Sequence, residues 1–247
     1  MQQTTGSEAS QPRASATEHC VTVDNRSVRM FRHDWIERCS HVHPVVPHVI
    51  FWPVIVTLLV IARTPPVMTA ALVLAGLVVW TLTEYILHRF LFHAPDAIME
   101  ETHRIAAALA PDEPVIPALP TFRHVTYFIA HGVHHEYPSD SSRLVLPPTA
   151  SVPLAVVFYG LFRLAFGAAA TPPMFAGFIT GYLIYDTVHY AVHHPGLPTA
   201  WGRFLKRRHA RHHFVDPDRD YGVSSPLWDW VLGTLGSRPA EPRALAE

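Results

Sequence analysis

Cysteine and charge are both scarce in this chain. Its two cysteines, Cys20 and Cys39, form neither a CxxC pair nor a disulfide framework, so a reducing compartment is the default and no iron–sulfur cluster can be held. Only 16% of the 247 residues are charged, against 49% hydrophobic, and the formal net charge is −1. That balance is unusual for a soluble domain and supplies no basic field for nucleic acid. A GxGxxG dinucleotide turn is absent. So is a charged n-region running directly into an apolar core, which argues against a cleaved signal peptide.

Residues 1–43 are polar and are expected to form a loosely ordered or disordered lead-in. His19, Cys20, His33, His41 and His43 match no ligand spacing there. Four long uncharged runs follow, with spans expected at about 45–62, 66–87, 151–167 and 173–190. A bilayer core needs about 20 apolar helical residues, so all four qualify, the third marginally because of its prolines. Arg13, Arg26, Arg29, Arg32 and Arg38 precede the first span, and Arg203, Lys206, Arg207, Arg208 and Arg211 follow the last. Only Arg63 and Arg163 can border the opposite face, so the positive-inside rule puts both termini in the cytoplasm. The expected fold is all-α: a multi-pass membrane protein of two helical hairpins, forming one domain over 44–235. A cytoplasmic helical cap spans 94–143 and 195–235, with short helices near 97–109 and 121–135, and 236–247 is a flexible tail. Trp201, Trp228 and Trp230 suit the membrane interface.

Histidine is abundant, with eighteen copies, ten of them in four clusters. His189 and His193 stand at i, i+4, with Asp186 one turn earlier on the same helix face. His131, His134 and His135, and likewise His209, His212 and His213, stand at i, i+3, i+4. Such spacing aims several imidazoles at one spot, and imidazole suits iron, copper, zinc and nickel. His88 and His93 are i, i+5, about 140° apart on an ideal helix. Either the helix ends there or the two serve different metals. The charge-based topology brings every cluster to the cytoplasmic side. His48, His103, His124 and His194 are read as ordinary hydrogen-bonded residues.

The pattern HX4H, HX2HH, HX3H, HX2HH resembles the membrane fatty acid hydroxylase superfamily, which also holds sterol desaturases and sterol methyl oxidases. Glu84 to His93, His131 to His135, Gly181 to Asp186 and His209 to Phe214 carry the likeness over residues 80–235. Ser142-Arg143-Leu144-Val145-Leu146-Pro147-Pro148 and Leu227-Trp228-Asp229 place it closest to the fatty acid 2-hydroxylases. The resemblance implies that His88, His93, His131, His134, His135, His189, His193, His209, His212 and His213 hold two metal ions, iron physiologically, with zinc a possible occupant of preparations. It implies an O2-dependent hydroxylation at carbon 2 of a fatty acid or of the acyl chain of a sphingolipid or ceramide. Asp186 would orient an imidazole N–H, and Tyr182 and Tyr185 would line the acyl tunnel.

Two departures from the family pattern stand out. Thirty-seven residues lie between His93 and His131, with an insertion around 99–123. Residues 1–43 contain no His-Pro-Gly-Gly haem motif, so a separate cytochrome- or ferredoxin-type protein is expected to supply electrons, docking on Arg203, Lys206, Arg207, Arg208 and Arg211. Alternatives are a sterol or carotenoid oxygenase or desaturase of the same superfamily, a metal transporter, or a structural zinc protein. A transporter would carry ligands at the bilayer midplane, and structural zinc usually includes cysteine.

Overall fold

The computed structural model describes residues 27–110, 112–194 and 196–236, and every regular element among them is helical. In chain order the α-helices are α1 (Asp34–Ser40), α2 (Val45–Val60), α3 (Pro66–Ile86), α4 (Asp96–Ala108), α5 (Phe122–Tyr127), α6 (Val133–Glu136), α7 (Pro148–His193), α8 (Ala200–Phe214) and α9 (Leu227–Val231). Two helices are long and apolar enough to cross a membrane: Pro66–Phe92, with mean hydropathy 1.9, and Pro148–His193, with 1.7. A third qualifies if α1 and α2, bent by 67°, count as one span.

Helix α7 is not a single rod. Phe158 and Phe178 are twenty residues apart, about 30 Å along a straight helix, yet their ring centroids lie 5.1 Å apart. Phe162 meets Phe175 in the same way at 5.4 Å. The chain therefore folds back between them, at Gly167, whose φ of 75° and ψ of 179° are open to glycine and not to L side chains. The two arms so formed correspond to the expected third and fourth runs, with the first beginning at Pro148 rather than near 151.

The principal core lies among these apolar helices. Phe51, Ile55 and Leu58 of α2, Trp80 of α3 and Phe162, Phe175, Phe178 and Tyr182 of α7 pack together. Helix α3 runs against the second arm of α7 at backbone contact: a Cβ on Gly177 would lie 2.0 Å from the Val73 carbonyl oxygen.

A smaller core sits beside the histidines. Val28 and Met30 pack there with Ala106, Val115, Phe128 and Val133. The Val115 and Ile116 amides donate to the Arg29 and Met30 carbonyls. The Arg143 side chain is buried, pairs with Glu37 and Asp140, and donates to the Val28 carbonyl. From residue 27 to 43 the polar lead-in packs against this core, held by the guanidinium at the start of the Leu-Val-Leu-Pro-Pro stretch. His19 and Cys20 lie outside the described residues, as does most of the expected tail.

Candidate metal centre

Two π turns interrupt the helices where histidines occur. Residues Leu87–Phe92 form one, closed by the His93 amide donating to the His88 carbonyl at 3.3 Å. Residues Phe128–Gly132 form the other and carry His131. A π turn adds a residue to one helical turn, so the i, i+5 pair no longer diverges. His93 then leaves the helix with extended backbone, φ −83° and ψ 149°. Of the two readings open for this pair, the structure has the helix ending there and both rings in one group.

The ten clustered histidines form two groups of five, and within each the ligand atoms lie within 4.8 Å of one another. The first group is His88, His93, His131, His135 and His212. The second is His134, His189, His193, His209 and His213. Each HX2HH cluster straddles both. Its i, i+4 members serve one group and its i+3 member the other, so α8 and the helix carrying His131 to His135 each face two centres.

Ring nitrogens approach one another closely in both groups. The Nε2 atoms of His88 and His131 are 3.0 Å apart and those of His93 and His212 are 3.1 Å apart. In the second group, His134 Nε2 lies 3.0 Å from His189 and 3.0 Å from His213, and His193 lies 2.7 Å from His209. Two nitrogens each about 2.1 Å from an ion and at right angles to one another are about 3.0 Å apart. The spacing therefore fits an ion at the focus of each group.

Hydrogen bonding points the same way. His88 Nδ1 donates to the Tyr221 carbonyl at 2.5 Å, and His212 Nδ1 to the Arg219 carbonyl at 2.8 Å. With the proton held on Nδ1, the Nε2 lone pair is free for a metal. Burial, followed by the neighbouring imidazoles, pushes His131, His134, His135, His209 and His213 well below the usual histidine range. Burial pushes His212 down to about 4 and His93 to about 3. All seven are neutral at pH 7, the form a metal requires.

The histidines read as ordinary have ordinary partners. His48 meets the Thr187 hydroxyl, His124 meets Thr121 and Glu101, and His194 donates to the Tyr190 carbonyl. His103 pairs with Glu136. Asp186 is buried, but among the described residues no imidazole hydrogen-bonds to it; the Tyr182 hydroxyl and Leu146 amide face it without closing a well-formed bond.

The expected basic patch is corrected. Arg208 is buried, pairing with Asp220 at 2.8 Å and Asp229 at 2.9 Å, and Arg211 pairs with Asp220. Their i, i+3 spacing turns both toward the acidic loop after α8, leaving Arg203, Lys206 and Arg207 exposed. Trp228 likewise turns inward, donating to the Thr81 hydroxyl at 3.0 Å, while Trp201 and Trp230 are exposed. Glu84, Asp220 and the Arg219 and Tyr221 carbonyls went unassigned in the sequence, because backbone acceptors and buried carboxylates carry no spacing signal.

Against the histidines lies an apolar cavity of about 180 Å³. Glu84, Arg143, Ser151, His131, His134 and His189 supply its polar lining, and Leu154, Ala155, Phe158 and Phe178, with Tyr182 and Tyr185, supply apolar walls.

Residues 119–234 match the family model described as fatty acid hydroxylase. The fold superposes on a solved structure, full-length scs7p with only the hydroxylase domain visible. The TM-score is 0.69 at 35% identity, covering 82% of this chain and 70% of that one. The chain belongs to the fatty acid hydroxylase family. This family member is 38% identical over 162 residues to the dihydroceramide fatty acyl 2-hydroxylase FAH2 of Arabidopsis thaliana, covering 65% of this chain and 58% of that one. With the fatty acid 2-hydroxylase of Rattus norvegicus it shares 34% identity over 171 residues, covering 68% of this chain and 40% of that one. It thus spans roughly half of the length of the curated relatives it matches.

Proposed function

We propose that this family member is an O2-dependent membrane hydroxylase that converts a CH2 of a lipid acyl chain to CHOH. The position is carbon 2 of a fatty acid, free or in a sphingolipid or ceramide. The observation that carries this is an apolar cavity whose polar lining includes histidines of both five-membered groups. The named 2-hydroxylase activities of its relatives favour carbon 2 over a sterol or carotenoid reaction.

The balance is one O2, two electrons and two protons consumed, one oxygen entering the C–H bond and one leaving as water. Two metal ions held by the ten histidines, iron in the active form, would supply the dioxygen chemistry. The protein's part is placement. The acyl chain lies between α3 and the two arms of α7, where Phe158 and Phe178 receive its apolar end and exclude water. Carbon 2 then reaches the lining formed by His131, His134 and His189. Tyr182 and Tyr185 contribute to the cavity walls.

In this reading α2, α3 and the two arms of α7 make four membrane passes, with the histidines and the flanking basic residues on the cytoplasmic side. Electrons come from a cytochrome- or ferredoxin-type protein. The experiment is lipid mass spectrometry of cells expressing the chain or its His189→Ala variant. Acyl chains heavier by one oxygen, fragmenting at carbon 2, are expected only with the former. Their absence under iron-replete, oxygenated conditions overturns the reading.

A further inference from the structure

The loop after α8 carries more than its length suggests. Two of its carbonyls, on Arg219 and Tyr221, accept the Nδ1 protons of His212 and His88, both in the first histidine group. The next amides along the loop are all taken by two buried carboxylates. Asp229 accepts from Tyr221 N at 2.9 Å and Gly222 N at 2.8 Å. Glu84 accepts from Val223 N at 2.7 Å and Ser224 N at 2.8 Å, and also from the Ser224 hydroxyl. Asp220, between the two carbonyls, has a left-handed φ of 61° and is held by Arg208 and by the Gly236 amide.

We propose that Glu84 and Asp229 are positioning residues for the first metal site, acting through the carbonyls of loop 219–224; this rests on the two-metal reading above. Buried amides must be satisfied, and a run of them drawn onto carboxylates on one side leaves the Tyr221 carbonyl directed at His88 on the other. A carbonyl fixed in this way keeps the proton on Nδ1 and the ring in one orientation, so Nε2 stays aimed at the ion. Glu84 stands one helical turn before His88, so α3 and the π turn that continues it carry the clamp and the ligand it supports. In the second group the Nδ1 atoms of His134, His189, His209 and His213 are buried without an acceptor among the described residues; in the first, His93 Nδ1 is in the same position while His88 and His212 are held by the loop.

The geometry therefore assigns the effect of these carboxylates to one site of two. The test is titration of metal-free full-length protein in detergent with Co2+, against a competing chelator, reading affinity and the cobalt absorption bands. Wild type is expected to bind two Co2+. Glu84→Gln keeps side-chain shape and leaves Arg208 paired. It should weaken one site by about 10–100-fold and shift its bands, with the other site unchanged. Asp229→Asn should affect the same site, and Glu84→Gln stands alone if that variant does not fold. Two unchanged sites, or two that fall together, overturn the positioning role. A wild type that binds fewer than two Co2+ overturns the two-metal reading, and the inference with it.

Discussion

The Nε2 atoms of His134 and His213 lie 3.0 Å apart although 79 residues separate them in the chain. Neither ring has an acceptor on its far nitrogen among the described residues, and the Nε2 spacing is that of two ligands of one ion. Purified protein is accordingly expected to hold two metals per chain by elemental analysis. Imidazole sites bind zinc more tightly than ferrous iron, so protein overexpressed without added iron should carry zinc and be inactive. One metal per chain in fully active protein would contradict the assignment.

Replacing a ligand should hurt more than replacing its support. His135→Ala, His189→Ala and His212→Ala are each expected to lose far more than the roughly 10–100-fold typical of a supporting residue, with membrane insertion retained. Turnover assays paired with metal content check this. A variant with near-normal turnover is not a ligand variant.

Chain-length selection should follow the apolar walls of the cavity. Ala155→Phe adds a ring to that wall and should shift products toward shorter acyl chains. The product profile from a mixed-length lipid pool measures it, and an unchanged profile would place the acyl chain elsewhere.

Arg207 and Arg208 are neighbours with opposite fates. Arg208→Ala leaves buried Asp229 without its cation and Asp220 with Arg211 alone, and should cost about 3–5 kcal/mol. Exposed Arg207→Ala should stay within about 0.5 kcal/mol. Thermal unfolding in detergent separates them. Equal effects would mean that the pairing does not form.

Close approach of α3 and α7 makes Gly177 intolerant of a side chain. Gly177→Ala drives a methyl into the Val73 carbonyl and should destabilise by about 1–3 kcal/mol, read as a lower unfolding temperature. An unchanged temperature would mean that the helices part easily.

Much of this protein is written in local pattern. The apolar runs, the helices at Asp96–Ala108 and from Phe122 to Glu136, and the ten histidines apart from the other eight all follow from period and spacing, which depend on near neighbours alone. The division of those histidines does not. Whether His134 joins His131 or His189 depends on how two helices and a hairpin pack, and the i, i+3, i+4 spacing fits either choice. The π turn that brings His93 to His88 inserts one residue without any compositional mark. The inward turn of Arg208 depends on Asp220 and Asp229, brought back by the loop after α8. Spacing along one helix sets which side chains share a face; only packing between helices sets what that face meets.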